Sequence, residues 1–323
     1  MTKKIYAFAL SLLLFATGVN ASIYEEKTSR FIAPDVTLTN IKCFTSSGWQ
    51  NINIVEAGLA NEYISFDILL PENGIDSLEN VKSMAEKSGS VVAINGDFFA
   101  RSGKDGTLGS SIGTVIKDGV LLSSSYEEEN TCATFMADEN NFLSAEYLKT
   151  DITITSPLGN SAKVKHLNKF DSLAEMCIYT SDFKEVTDGS YNNILEMVIE
   201  DDTVVEMRRE MDGVLVPENG YVIRHLPEFD PFLIENFSVG DKITIDFSTN
   251  IDIEKIKTAI GAGTKLLENG EKTEINHDVT GLNPRTVAGF DQSGKKLYLI
   301  TIDGRTTYAK GMTLNETAEF LKN

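Results

Sequence analysis

The chain has 323 residues, of which 41% are hydrophobic and 24% are charged, and its formal net charge is −19. So acidic a surface repels nucleic acid and anionic lipid, which excludes nucleic-acid binding and electrostatic attachment to membranes as functions. The hydrophobic fraction is ample for a core, and the length allows one large domain or two small ones.

The first residues predict a signal peptide. Lys3 and Lys4 precede an uncharged apolar run from Ile5 to Ala16, and a small-x-small cleavage pattern ends at Ala21. The apolar run is shorter than the ~20 residues that a membrane-spanning helix needs. We therefore expect cleavage after Ala21, export of residues 22–323, and no membrane insertion once the signal peptide is removed.

Cysteine and histidine usage indicates neither a disulfide framework nor a zinc site. Cys43, Cys132 and Cys177 are too few for a framework, although one pair could bridge in an oxidising compartment. The sequence contains no Cys-x-x-Cys motif, and its three His are scattered.

The N-terminal third reads as short strands and one helix. Between Val36 and Leu70, three strand-like segments alternate with turn residues: VTLTNIKCF, NINIVEAGL and EYISFDILL. Residues 76–88 then predict a helix capped by Asp76 or Ser77. The apolar run Val91–Ile94 predicts a strand buried on both faces. It ends at Asn95-Gly96-Asp97, so short polar side chains follow at the edge of the core, where sites tend to be built.

The rest of the chain is dominated by strands and turns. Asp118-Gly119 predicts a hairpin over Gly113–Ser124, and Asn269-Gly270 predicts another. Residues 132–252 form a β-rich middle region with one helix-like break near Pro227–Phe237. Many short strands with a few helices and no regular βαβ pattern predict an α+β fold in a single domain over residues 22–323.

Charged residues follow apolar strands near the C-terminus. Asp303-Gly304-Arg305 comes directly after the strand-like LYLITI, and Arg285-Thr286 follows Pro284. A guanidinium offers a planar fork of donors that suits a phosphate, and a carboxylate beside it can act as acid, base or nucleophile. Two plainer readings stay open, since Asp-Gly is turn chemistry and Arg285 can cap a turn or pair with a carboxylate.

Three further candidates have plain alternatives as well. Gly261 and Gly263 can bring backbone N–H groups to phosphate oxygens, or can form an ordinary turn. Glu316 is a catalytic candidate, but three residues after Thr313 it also has the position of a capping-box carboxylate.

Taken together, these motifs resemble the phosphodiester glycosidase family. The resemblance covers roughly residues 90 to 320 and rests on AINGDFF, the Gly-rich turn with LLENG, the PRT turn, and DGR followed by Gly-Met-Thr-Leu. Where the family usually has three glycines, this chain has Ala262 between two. Family members also continue beyond the last helix into a strand with a Leu-Asp-Gly-Gly-Gly-Ser-Ser motif, whereas this chain ends at Asn323. The resemblance therefore predicts that the domain is C-terminally incomplete in this chain.

The resemblance implies a secreted hydrolase that cleaves a sugar-1-phosphodiester, of the N-acetylglucosamine-1-phosphodiester kind, in cell-envelope or exopolysaccharide metabolism. Asp303, Asp97 and Glu316 are then the catalytic candidates. The substrate-binding candidates are Asn95, Gly96, Arg285, Thr286, Gly304, Arg305, Gly261 and Gly263. No organic cofactor is implied, and a divalent cation is possible. The alternative is a non-catalytic protein that binds exopolysaccharide or a cell-envelope glycan.

Overall fold

The structure is a computed structural model that describes residues 23–102, 108–125, 132–170, 175–190, 193–275 and 279–322. The predicted signal peptide lies outside these ranges. Almost all strand pairs within them are antiparallel, and the same ranges contain three short helices. The expectation of many short strands with few helices is confirmed, but the architecture is mostly β rather than clearly α+β.

The first sheet has five antiparallel strands built from both ends of the chain. Their order is β1 (Tyr24–Ala33), β2 (Val36–Thr45), β3 (Gly48–Gly58), β22 (Lys296–Ile302) and β21 (Arg285–Phe290). Alternation along the strands places Ile41, Ile52 and Ile300 on one face, termed the outer face, where the C-terminal helix packs. The opposite side is termed the inner face.

The second sheet packs against one half of that inner face. Its order is β7 (Val120–Ser123), β6 (Val115–Lys117), β18 (Ile256–Gly261), β8 (Thr134–Asp138) and β9 (Leu143–Glu146). Val55 and Leu297 of the first sheet meet Phe135 and Leu143 of the second in one apolar cluster. This sheet-on-sheet core fixes the position of the loops at its rim, where the candidate residues lie.

Two further sheets form a separate apolar core in the middle of the chain. One has the order β11 (Ser161–Val164), β10 (Thr150–Thr155) and β17 (Thr244–Thr249). The other has the order β12 (His166–Leu167), β13 (Cys177–Tyr179), β16 (Gly220–His225), β14 (Leu195–Glu200) and β15 (Thr203–Arg209). Ile152, Met197 and Leu233 belong to this core, so the β-rich reading of residues 132–252 agrees with the strands found there.

The remaining elements are short. Two-stranded ribbons pair β4 (Phe99–Ser102) with β5 (Leu108–Ser111) and β19 (Leu267–Glu268) with β20 (Glu271–Lys272). The helices are α1 (Val81–Ser88), α2 (Phe232–Asn236) and α3 (Leu314–Lys322). None of these described helices is long and apolar enough to cross a membrane.

Both Gly-containing hairpins form as predicted. Asp118 and Gly119 have φ of 49° and 79°, and Asn269 and Gly270 have φ of 51° and 78°. Two successive left-handed residues match the twist of the flanking strands, which is why Asp-Gly and Asn-Gly mark such turns.

Three local predictions are wrong. The helix begins at Val81 and not at residue 76, because Asn80 is its N-cap and accepts a hydrogen bond from the Ser83 N–H at 2.9 Å. The segments EYISFDILL and Val91–Ile94 do not form strands within the described ranges. Val91 is 67% exposed, so an apolar run of four residues did not suffice to identify a buried strand.

Cys43, Cys132 and Cys177 are all buried. The possible bridge between two of them is not formed in this structure.

Candidate functional site

Asp303 is held at the end of β22 by the neighbouring strand β3. Its backbone N–H donates to the Asn51 carbonyl at 2.9 Å, which continues the strand pairing by one residue. Its carboxylate Oδ2 accepts a hydrogen bond from Asn51 Nδ2 at 2.6 Å. Strand alternation puts Asp303 on the inner face, beyond the half that the second sheet covers. The carboxylate is thus fixed in place and still half-exposed.

Asn95 meets the first sheet on the same face. Thr286 Oγ1 donates to Asn95 Oδ1 at 3.3 Å. In the pairing of β21 with β22, Thr286 lies opposite Thr301. Thr301 precedes Asp303 by two residues, and Asp303 continues the line of β22. Side chains two residues apart on a strand point to one face. The structure therefore brings the Asn95 turn and the Asp303 turn to the same end and the same face of the sheet.

Gly304 and Arg305 form a tight corner against the Asn283-Pro284 segment. A Cβ on Gly304 would lie 2.4 Å from the Pro284 nitrogen, so only glycine fits there. Arg305 has a φ of 58°, and its Nε and Nη2 donate to Asn283 Oδ1 at 3.1 and 2.5 Å. The Arg305 side chain is exposed, so its guanidinium can also meet a ligand.

Arg285 is placed differently from the other candidates. Its pairing with Ile302 puts it on the outer face, where it is buried. Its guanidinium donates to the carbonyl oxygens of Met312 at 2.8 Å and Gly281 at 3.0 Å. Burial, with a smaller effect of the Arg305 charge, lowers the pKa of Arg285. This geometry favours the turn-capping reading, in which Arg285 holds the loop that carries Asn283.

The Asp97 carboxylate is enclosed by backbone. Its Oδ1 accepts from the Phe98 N–H at 2.7 Å, and its Oδ2 accepts from the Gly113 N–H at 2.9 Å. Asp97 itself has a φ of 56°. Burial raises the pKa of Asp97 to about 6, although the Lys169 ammonium and these backbone N–H groups oppose the increase.

Lys169 lies fully buried beside this carboxylate. Its Nζ donates to the carbonyl oxygens of Ser111 at 2.6 Å and Gly113 at 2.8 Å. Burial lowers the pKa of Lys169 to about 7, against the attraction of the Asp97 charge. Lys169 and Asp97 thus both bind the segment around Gly113, Lys169 through backbone carbonyls and Asp97 through the Gly113 N–H. The sequence did not predict that these two residues lie together.

The candidate glycines differ in their surroundings. A Cβ on Gly261 would lie 2.5 Å from Gly113 Cα and 2.7 Å from Asp97 Cγ, and a Cβ on Gly96 would lie 2.4 Å from Ile260 Cδ1. Gly261 therefore makes room for the Asp97 carboxylate. The Gly263 carbonyl accepts from the Ala133 N–H at 2.9 Å, which continues the pairing of β18 with β8 beyond Gly261.

Glu316 forms the capping box of α3. Its Oε2 accepts from the Thr313 N–H at 2.8 Å, and its own N–H donates to Thr313 Oγ1 at 3.1 Å. Its Oε1 accepts from Ser47 Oγ at 2.5 Å. Burial acts to raise the pKa of Glu316, but the hydrogen bonds from Ser47 and Thr313 outweigh it and lower the pKa. The helix packs on the outer face, away from the face that carries Asp303.

Sequence reasoning missed Asn51, although a signal was present. In Asn51-Ile52-Asn53-Ile54 the polar residues alternate with apolar ones, which marks a polar row on one face of β3. In the described part of the chain, no three His, Cys, Asp or Glu side chains gather as metal ligands would. Asp97 and Asp303 accept hydrogen bonds from amide groups instead.

Comparison with known proteins gives a family match and two similar folds. Residues 193–323 match the family model described as phosphodiester glycosidase. The structure resembles a hypothetical protein from Synechocystis with a TM-score of 0.78 and 17% identity, over 92% of this chain and 56% of that one. This chain therefore spans little more than half the length of that relative.

A second solved structure, described as a "Putative exported protein" from Burkholderia pseudomallei K96243, has a TM-score of 0.74 and 15% identity. That match covers 91% of this chain and 87% of the Burkholderia protein. At such identities the likeness establishes the fold alone. No curated protein matches the chain. The predicted resemblance to the phosphodiester glycosidase family is confirmed for residues 193–323, which include Asp303, Arg305 and Arg285.

Proposed function

We propose that this protein is an exported glycosidase that hydrolyses a sugar-1-phosphodiester, of the N-acetylglucosamine-1-phosphodiester kind. The observation that carries the proposal is the Asp303 carboxylate, fixed by Asn51 on an open sheet face and followed by the exposed Arg305. A family match over residues 193–323 supports the glycosidase class. The signal-peptide pattern supports export, as does the fold shared with the Burkholderia protein.

Asp303 supplies the negative charge that the reaction needs. Breaking the bond at the anomeric carbon builds positive charge on the sugar ring, and a carboxylate fixed in advance stabilises that charge. Asn51 binds Oδ2, which orients the carboxylate without neutralising it. Water adds to the anomeric carbon as its bond to the phosphate oxygen breaks, and the leaving group is a phosphate monoester. This group departs as an anion, so the demand for a protonating acid is small.

Arg305 is the residue we assign to the phosphate. Its guanidinium is exposed, and its hydrogen-bond partner, Asn283, is an uncharged amide, so the positive charge persists. Arg285 acts on the phosphate site indirectly. Its guanidinium donates to the Gly281 carbonyl and thereby holds the loop around Asn283. In this assignment Arg285 is a positioning residue.

Asn95 and Thr286 are assigned to the sugar hydroxyls. Asn95 uses its Oδ1 to accept from Thr286, and its amide also has two N–H donors. Asp97 holds the turn that carries Asn95, through the Phe98 and Gly113 N–H groups. Asp97 is thus a second positioning residue, and its enclosed oxygens take no part in the chemistry.

The test is hydrolysis of methyl N-acetylglucosamine-1-phosphate diester by wild type and by Asp303→Asn. Loss of an essential carboxylate should lower kcat by about 10²-fold or more. Asp246→Asn is the matched control, because Asp246 is an exposed residue of β17. Turnover by Asp303→Asn within a few-fold of wild type would remove Asp303 from the mechanism. Glycan binding without any turnover by wild type would support the alternative of a non-catalytic glycan-binding protein.

A further inference from the structure

The strand β1 forms an exposed edge of the first sheet. Among the strands that the structure describes, only β2 pairs with it. Its residues from Tyr24 to Phe31 are all exposed, and Phe31 is 82% exposed. With ten residues, β1 is longer than β21 at the opposite edge, which has six. The backbone N–H and C=O groups along the free side of such a strand can pair with a strand of another chain.

The alternation of hydrogen bonds shows which backbone groups of β1 point outward. The Gly58 N–H of β3 donates to the Asp35 carbonyl at 3.0 Å, so these two opposite residues are a hydrogen-bonded pair. Such pairs recur at every second residue, so odd-numbered residues of β2 bond to β3 and even-numbered ones bond to β1. Asn40 of β2 lies opposite Thr28. Thr28 therefore bonds to β2, and the residues on either side of it direct their backbone groups away from the sheet.

In one antiparallel register, β1 is complementary to a second copy of itself. A two-fold axis through Thr28 places Lys27 opposite the partner's Ser29, and the outward backbone groups of both can bond. The same axis places Glu26 opposite the partner's Arg30, and the symmetry repeats this pair on the other side of the axis. Both side chains are exposed in the single chain. Opposite charges that face each other across a strand pair stabilise it, whereas like charges destabilise it.

The neighbouring registers lack this match. An axis through Lys27 would place the Lys27 side chains of the two copies opposite each other. An axis through Ser29 would place Lys27 opposite Phe31 and Glu26 opposite Ile32, so neither charge would face an opposite one. Charged side chains on an edge strand normally prevent its pairing with other strands. On β1 the charges instead select the register that is centred on Thr28.

Apolar contacts would lie at both ends of the paired strands. In this register Tyr24 lies opposite the partner's Ile32 on the inner face, and Phe31 lies diagonally across from the partner's Lys27 on the outer face. Tyr24 is 49% exposed. An aromatic ring opposite a β-branched side chain stabilises a strand pair, and an ammonium group is attracted to the face of a ring.

The charge of β1 also differs from that of the whole chain. The formal net charge of the chain is −19, so two copies repel each other over most of their surfaces. In β1 the sequence YEEKTSRFIA has two acidic and two basic side chains and no net charge. This edge is therefore a place where two copies can approach each other closely.

We propose that two copies of this chain associate through β1, in antiparallel pairing about a two-fold axis at Thr28. The two first sheets then form one continuous sheet with five strands from each copy. Since the axis is perpendicular to the sheet, the inner faces of both copies lie on the same side. The partner is a second copy because the charges of β1 match those of the same strand. The proposal does not depend on the reaction at Asp303.

The experiment measures association by sedimentation velocity over a series of concentrations, with the protein purified after export. The variants are Glu26→Lys and Arg30→Glu, each of which puts two pairs of like charges into the interface. The matched controls are Asp246→Lys, on the exposed edge strand β17, and Lys255→Glu. They make the same changes of charge at exposed positions outside β1. Circular dichroism establishes that each variant is folded.

We expect a wild-type dimer with a Kd in the micromolar range, as is usual for small interfaces. Each variant should raise this Kd about tenfold or more, and the controls should leave it unchanged. An equimolar mixture of the two variants should associate as tightly as wild type. In that heterodimer each residue at position 26 again faces an opposite charge at position 30.

A wild-type protein that stays monomeric at about 100 μM would overturn the proposal. A dimer that neither variant weakens would have its interface elsewhere on the molecule and would overturn it as well. The same holds if both variants weaken association but their mixture does not restore it, because the pairing of positions 26 and 30 would then be wrong.

Discussion

Asp97 and Asp303 are two carboxylates at the same rim of the molecule, and the structure gives them opposite surroundings. Asp97 has both oxygens bound by backbone N–H groups and lies against Gly113, Gly261 and the buried Lys169. Asp303 has one oxygen bound by the Asn51 amide and is half-exposed on an open polar face. An enclosed carboxylate can hold a loop in place, whereas an open one can meet a substrate.

The same division applies to the two arginines. Arg285 donates to loop carbonyls and is buried, and Arg305 is exposed at the corner that this loop supports. Arg285 thus holds the loop that supports Arg305, and Asp97 holds the turn that carries Asn95. The comparison predicts that changes at enclosed residues lower stability and that changes at open residues lower turnover.

The largest loss of stability is expected for Lys169→Met. The substitution leaves the carbonyls of Ser111 and Gly113 without their donor, and Asp97 without its positive neighbour. Each buried carbonyl left without its donor costs about 1–3 kcal/mol. Denaturant unfolding measures the change, and Lys257→Met, at an exposed position, is the control. A loss below about 1 kcal/mol, the usual effect of a surface change, would show that Lys169 does not support Asp97.

A smaller loss is expected for Gly261→Ala. The added methyl group would meet Gly113 Cα at 2.5 Å and the Asp97 carboxylate at 2.7 Å, and the Gly113 backbone cannot rotate away as a side chain can. Overpacking of this kind costs about 1–3 kcal/mol. Gly289→Ala is the control, because a Cβ on Gly289, also in a strand, would have no heavy atom within 4 Å. Equal stability of the two variants would contradict the crowding at Asp97.

How much of the fold and the candidate site the sequence could predict depends on how far apart in the chain the residues of each feature lie. The Asp-Gly and Asn-Gly hairpins and the Thr313–Glu316 capping box form from a few adjacent residues, and the sequence predicted all three. The partners of Asp97 and Asp303 lie far away in the chain, since Lys169 and Asn51 reach them only through the packed sheets. Arg285 shows the same limit, because the Pro-Arg-Thr turn did not reveal which face of β21 its side chain occupies.

Glu316→Ala should cost about 0.5–2 kcal/mol, as the loss of a helix cap does. The substitution removes the bonds to the Thr313 N–H and to Ser47 Oγ but leaves the inner face intact. We therefore expect lower stability, with turnover of the methyl diester unchanged. Glu319→Ala, in the same helix, controls for helix propensity. A loss of turnover by about 10²-fold or more would show that Glu316 takes part in catalysis.

A further effect is a pH dependence of stability from Asp97. Its pKa is raised to about 6 in the folded chain, above the usual value of about 4 in an unfolded chain. The folded state thus binds an extra proton between these values, so this stabilising contribution is complete below pH 4 and is lost as the pH rises through 6. The Tm of wild type relative to Asp97→Asn should fall over that window. A constant difference between the two proteins would contradict the raised pKa.

The central claim is that Asp303 performs chemistry while Asp97 holds the turn of Asn95. The most direct test measures kcat on the methyl diester and Tm for Asp303→Asn and Asp97→Asn side by side. We predict that Asp303→Asn lowers kcat by about 10²-fold or more at an unchanged Tm. Asp97→Asn should lower the Tm and reduce kcat by less than about tenfold, because its oxygens accept hydrogen bonds from the backbone N–H groups of Phe98 and Gly113. The reverse pattern, with turnover lost in Asp97→Asn and kept in Asp303→Asn, would contradict the account.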